Sequence, residues 1–306
     1  MQERRVNSTH RTQTFIKMAA PVWFITGSSN GFGLLLSLRA LQAGHRVIAT
    51  VRDPVRSSEA VKSIEEAGGK IIQLDMTESK ASITKKIQEA EKIFGKIDYL
   101  VNNAGYSVLG VIELFTEAEA EQQIQTNFFG PFYAVQAVLP GMRTRRSGTI
   151  VNVSSVAGQD GNPSCGLYAA SKFGLEGFTE ALSKEVKEFG IDVLLVEPGA
   201  FRTNFLGASI KSDTSAERAY AGTAVDEALK KFSAATGKQP GDPKKAVNVI
   251  FEVVTGEGEA GHLKGNILRL PLGRDAFTRI QNKIHWVQRD LDASNAVGVD
   301  TSLDGE

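Results

Sequence analysis

The stretch "VWFITGSSNGFGLLLSLRALQAG" (22–44) runs from a short β-branched and aromatic segment, through a turn holding Gly27, Gly31 and Gly33, into a helical pattern. Glycines let a backbone turn tightly and approach a pyrophosphate, while a helix N-terminus presents free N–H groups and the positive end of its dipole. The spacing is G-x-x-x-G-x-G, not the G-x-G-x-x-G of the general dinucleotide fingerprint. Gly31 and Gly33 alone would serve helix–strand packing equally well. What favours nucleotide binding is the turn's place between a first strand and a first helix.

Working outward, the same rhythm repeats. Strand-like runs cover 22–26, 46–51, 70–75, 97–102, 148–154, 191–197 and 265–270. Most lack clean alternation, as expected of strands covered on both faces. Helical patterns fall at 31–43, 57–67, 79–94, 117–142, 166–189 and 243–255, and "TEAE" (116–119) supplies a capping box. This order predicts an α/β, doubly wound Rossmann fold with a parallel sheet of about seven strands and helices on both faces. One domain is expected over 21–306, after an extension at 1–20 that reads as disordered. Residues 204–242 read as an insertion over the substrate site, and the tail from about residue 276 reads as variable.

The composition excludes several classes. Lys plus Arg and Asp plus Glu both number 35, so no long-range field points to nucleic acid or an anionic membrane. No apolar run approaches the ~20 residues that span a bilayer. The one cysteine, Cys165, excludes an intrachain disulfide framework and a cysteine-based metal site, and no metal is expected. The expected compartment is the cytoplasm.

A phenol and an ammonium stand four residues apart in "YAASK" (168–172). On a helix they share one face, where the cation favours phenolate and tunes an acid/base pair. The Gly-rich turn, "NNAG" (102–105), Asn127 in "TNFFG", "NVSS" ending at Ser155, Tyr168-x-x-x-Lys172 and "PGAFRT" (198–203) follow in order. Together they resemble the short-chain dehydrogenase/reductase family over about residues 21–275. The resemblance implies that Tyr168 exchanges a proton with the substrate oxygen. Lys172 lowers the phenol's pKa and holds the nicotinamide ribose. Ser155, with Ser154 as the adjacent alternative, hydrogen-bonds the substrate oxygen, and Asn127 holds a water leading from Lys172 to solvent.

It also implies a cofactor path. Gly27, Ser28, Ser29, Gly31, Phe32 and Gly33 form the phosphate turn, and Asn103, Ala104 and Gly105 line the adenosine side. Pro198, Gly199, Phe201 and Thr203 hold the nicotinamide end, and Tyr168 and Lys172 complete it. Asp75, beside Met76, accepts from the adenine amino group, caps the following helix, or does both. The second strand ends in Val51 and Arg52, where NAD-binding members carry a carboxylate. A valine cannot bind the ribose diol, whereas a guanidinium suits a 2′-phosphate. The expected cofactor is therefore NADP(H), unless Arg52 is spent on Asp53 or another carboxylate.

Tyr106, Val156, Cys165 and Phe205 are the candidate substrate-pocket residues, mostly apolar, as a lipophilic ketone or alcohol requires. A carbonyl reductase of secondary metabolism is the expected activity. An oxidative alcohol dehydrogenase, steroid- or retinol-like, uses the same residues. A non-catalytic NADP-binding regulator would not need Tyr168 and Lys172. The resemblance is compatible with a homodimer or homotetramer.

Overall fold

The computed structural model describes residues 20–212, 217–301 and 303; the extension expected at 1–20 lies almost wholly outside them. In chain order the elements are β1 (Val22–Ile25), α1 (Gly31–Gln42), β2 (Arg46–Val51), α2 (Ser58–Glu66), β3 (Lys70–Gln73), α3 (Lys80–Phe94), β4 (Tyr99–Asn102) and β5 (Val108–Leu109). Then follow α4 (Glu117–Ile124), α5 (Gly130–Arg145), β6 (Gly148–Val153), α6 (Gly166–Val186), β7 (Ile191–Pro198) and β8 (Ile210–Lys211). The last are α7 (Glu217–Tyr220), α8 (Ala224–Ala235), α9 (Pro243–Thr255), β9 (Arg269–Leu272) and α10 (Arg274–Gly298).

A seven-stranded sheet runs in the order β3-β2-β1-β4-β6-β7-β9, and all its pairs are parallel. Successive side chains alternate between its faces. Phe24, Ile48, Leu100 and Ile150 therefore meet Ile83 and Ile87 of α3 and Val135 and Met142 of α5. Trp23, Ile25, Val101 and Val151 meet Leu36 of α1 and Ile250 and Phe251 of α9. Strand order reverses between β1 and β4, where loops on either side turn opposite ways and open a crevice.

Three elements differ from the expected ones. The helix read over 117–142 is interrupted by a wide π-helical turn at Gln125–Phe129. Pro131 has no N–H to give the carbonyl of Asn127, so one i→i−4 bond is missing where the wide turn falls. The last strand lies at 269–272, not 265–270; it is an edge strand, which tolerates Pro271. Unexpectedly, β8 of the insertion pairs with β5 as a separate two-stranded parallel sheet. The tail forms the 25-residue helix α10.

Candidate active site

The Gly-rich turn is stitched to the loop after β4. The Thr26 hydroxyl accepts from the N–H groups of Asn103 and Ala104, both at 3.0 Å. Asn103 Nδ2 in turn donates to the carbonyls of Thr26 and Gly27, at 2.9 and 3.0 Å. Gly27 has φ 69°, and a Cβ there would lie 2.7 Å from Ala104 Cα, so conformation and close approach both require glycine. The first turn of α1 follows, and its N-cap Asn30 offers the amides no side-chain acceptor. Free N–H groups and the dipole thus point into a cleft of about 720 Å³. Gly27, Ser29, Gly31, Phe32, Asn103, Ala104 and Gly105 line it.

Two members of the expected phosphate turn do not. Ser28 is fully buried: its N–H donates to Thr50 O at 2.8 Å, and its hydroxyl donates to Ile25 O at 3.2 Å while accepting from Ser37. The expected phosphate contact from Ser28 is corrected, because its donors are used inside the fold. Gly33 serves packing, since a Cβ there would lie 2.4 Å from the Gly27 carbonyl oxygen.

At the end of β2, Val51 is buried and Arg52 is exposed at the cleft. Arg52 is not spent on Asp53. Asp53 accepts from the N–H groups of Val55 and Arg56, both at 3.0 Å, and pairs with the Arg56 guanidinium. Asp75 and Met76 also line the cleft. Asp75 accepts from the N–H and hydroxyl of Thr77, at 2.9 and 2.8 Å, but it does not cap α3. That position belongs to Ser79, which accepts from Ser82 N–H.

Deeper in, Tyr168 and Lys172 lie one turn apart on α6, both buried. Lys172 Nζ donates to the Val153 carbonyl at 2.7 Å, which pins it under the end of β6. Ser155, one residue past Ser154 at that strand end, has its hydroxyl beside the phenol. The expected lowering of the phenol's pKa does not appear. Burial pushes Tyr168 up to about 12, against a smaller opposing pull from the Ser155 hydroxyl. Burial likewise pushes Lys172 down to about 8, with Glu176 one turn on pulling the other way. At each group desolvation outweighs the one contact that opposes it, the Ser155 hydroxyl for Tyr168 and Glu176 for Lys172.

Asn127 is buried and does not line the cleft. Its amide donates to Tyr106 O and Ser171 Oγ, both at 3.0 Å, and accepts from Tyr106 N–H at 3.2 Å. Its side chain fixes the loop after Gly105 to α6.

The nicotinamide-end residues Pro198, Gly199, Phe201 and Thr203 line the cleft, with Phe201 edge-on to Phe32 at 5.2 Å. Tyr106, Val156, Cys165 and Phe205 line it too, and Phe205 lies against Tyr168 with ring centroids 5.7 Å apart. Burial pushes the Cys165 thiol up, which decides against an activated thiolate at the start of α6. The sequence reading did not single out Phe232, Gln239, Asp275 and Arg279, which also line the cleft. Asp275 accepts from Ala200 N–H at 2.8 Å and so braces the 198–203 turn. No motif marks these residues; the insertion and α10 bring them to the cleft.

A parallel sheet with this switch point, Gly-rich turn and Tyr–Lys helix agrees with the short chain dehydrogenase family model, which matches residues 21–214. The chain belongs to the short-chain dehydrogenase/reductase family. It is similar to oxidoreductase claN of Passalora fulva, 45% identical over 68% of this chain and 94% of that protein. A short-chain dehydrogenase from Streptomyces avermitilis superposes with TM-score 0.81 at 35% identity, over 93% of this chain and all of that one. An actinorhodin polyketide ketoreductase variant crystallised with NADPH superposes with TM-score 0.68 at 26% identity, over 83% of this chain and 97% of that one. This short-chain dehydrogenase/reductase is thus an oxidoreductase acting on alcohol or carbonyl groups. Among the described residues no helix is long and apolar enough to cross a membrane.

Proposed function

We propose that the chain is an NADPH-dependent carbonyl reductase of lipophilic ketones. The observation that carries this reading is the buried Tyr168 beside Ser155, with Lys172 fixed one turn away. A phenol pushed up to about 12 is protonated at neutral pH, as the acid in a reduction must be. In this reading Tyr168 gives its proton to the carbonyl oxygen while Ser155 hydrogen-bonds that oxygen and stabilises the charge that gathers there. Lys172 is held to Val153 and supplies positive charge below the phenol.

A nicotinamide dinucleotide held in this cleft would supply the hydride. The uncapped amides of α1 and the close approach at Gly27 fit its pyrophosphate. Arg52, exposed at the cleft and free of Asp53, suits a 2′-phosphate, and no carboxylate at Val51 competes for a diol. The NADPH bound to the actinorhodin ketoreductase is consistent with that choice. Leu109, Val156, Phe205 and Phe232 give the substrate end an apolar wall.

The test is NADPH and NADH consumption against a panel of lipophilic ketones and aldehydes, with the matching alcohols run in reverse. Reduction with NADPH preferred is expected. Activity on the alcohols alone, or with NADH preferred, would overturn the reading.

A further inference from the structure

Helix α10 leaves the body of the protein soon after it starts. Ala276 is buried and Arg279 is tied to Asp160 at 2.7 Å, yet every residue from 284 to 299 is exposed. Along this helix Phe277, Ile280, Ile284, Val287 and Leu291 recur at alternating spacings of three and four. Phe277, Ile284 and Leu291 are 53%, 64% and 58% exposed. Three-four alternation is the seam of two packed helices, and a lone helix in water gains most of its stability from covering such a face.

We propose that a second copy of this chain lays its α10 antiparallel against this one, so that the two seams form one core. The flanking residues select the partner and its direction. With the seam in register, a parallel pair sets Lys283 against Gln288 and Asp290 against Asn295, with no opposite charges. An antiparallel pair seats Ile284 over Val287 of the second copy, and Leu291 over Ile280. Lys283 of each copy then stands beside Asp290 of the other, and Gln281 beside Gln288. The two-fold axis makes each ion pair twice. Asp290 already meets Arg289 of its own helix at 2.9 Å, an exposed contact that the second lysine supplements. A membrane surface is a poorer partner, because the stripe is narrow and Asp290 and Asp292 sit among the cations.

The test is sedimentation of the full chain over a concentration series. Ile284→Glu with Leu291→Glu changes exposed positions, so Tm should hold at dilutions where both proteins are monomeric, while the dissociation constant of the association rises by more than about tenfold. Lys283→Glu alone and Asp290→Lys alone should each weaken association, and the two combined should restore it. Unchanged association in the double glutamate variant overturns the proposal, as does failure of the charge swap to restore. Wild-type binding to phosphatidylcholine/phosphatidylserine vesicles that the glutamate variant loses, with association unaltered, overturns it in favour of a membrane surface.

Discussion

Glu176 of α6 and Glu197 of β7 share one guanidinium beneath the candidate active site. Arg269 Nε lies 3.1 Å from Glu197, and its Nη2 lies 3.2 Å from Glu176. Gln159 donates to both carboxylates, at 3.2 and 3.1 Å. Both are buried, and Glu176 also faces the Ser154 hydroxyl and stands one turn beyond Lys172. Two carboxylates cannot both ionise cheaply there.

That arrangement makes stability fall with rising pH. Burial first, then the neighbouring Glu176, pushes Glu197 well above the usual carboxylate range, up to about 8, and burial also raises Glu176. A carboxyl whose folded pKa is raised keeps a proton that the unfolded chain has lost, so stability declines as pH climbs through that window. Glu197→Gln, which keeps the neutral shape, should flatten the decline of Tm between pH 5 and 8.5. The advantage over wild type should grow with pH, reaching the order of a few kcal/mol at the alkaline end. Parallel Tm curves for the two proteins would remove the shared proton.

Tyr168→Phe keeps the ring against Phe205 and removes the hydroxyl. Turnover should fall by ~10²–10⁴-fold, the usual worth of general acid catalysis, with NADPH affinity nearly intact by fluorescence titration. A variant keeping half the wild-type kcat would exclude Tyr168 as the proton donor. Lys172→Ala differs, because the half-buried Val153 carbonyl also loses its partner. It should lower kcat, cofactor affinity and stability together, the last by ~1–3 kcal/mol.

Cofactor choice rests on the end of β2. Arg52→Ala should weaken NADPH binding by ~1.5–3 kcal/mol, the scale of a charged hydrogen bond, and leave NADH nearly unchanged. Val51→Asp should shift preference towards NADH, through repulsion of the 2′-phosphate as much as attraction of the diol. Equal losses for both cofactors in Arg52→Ala would assign Arg52 a role outside the 2′-position.

Cys165 is buried in the cleft wall, and burial raises its thiol pKa. Maleimide should therefore label the native chain much more slowly than the denatured one at neutral pH. The rate should climb as pH rises, and labelling should inactivate because the group fills the substrate end. Cys165→Ser should stay active and resist the reagent. Rapid labelling at pH 7 with activity retained would place this thiol outside the pocket.

The order of elements was legible because each strand and helix carries its own period of apolar residues, and those periods are local. The same holds for the Gly-rich turn before α1 and for Tyr168 and Lys172 on one face of α6, where spacing alone sets proximity. Even the break near Asn127 was written in Pro131, although the helical pattern on either side masked it. What spacing could not decide was burial and company. Ser28 turns inward because Thr50 and Ser37, on neighbouring elements, take up its hydrogen bonds. Asp75 yields the cap to Ser79 because it folds back on Thr77. The Tyr168 phenol is raised, not lowered, because the assembled fold strips its water. Glu176, Glu197 and Arg269 meet across three elements far apart in the chain. Desolvation and charge pairing depend on which distant segments close over a group, so only the tertiary structure sets them.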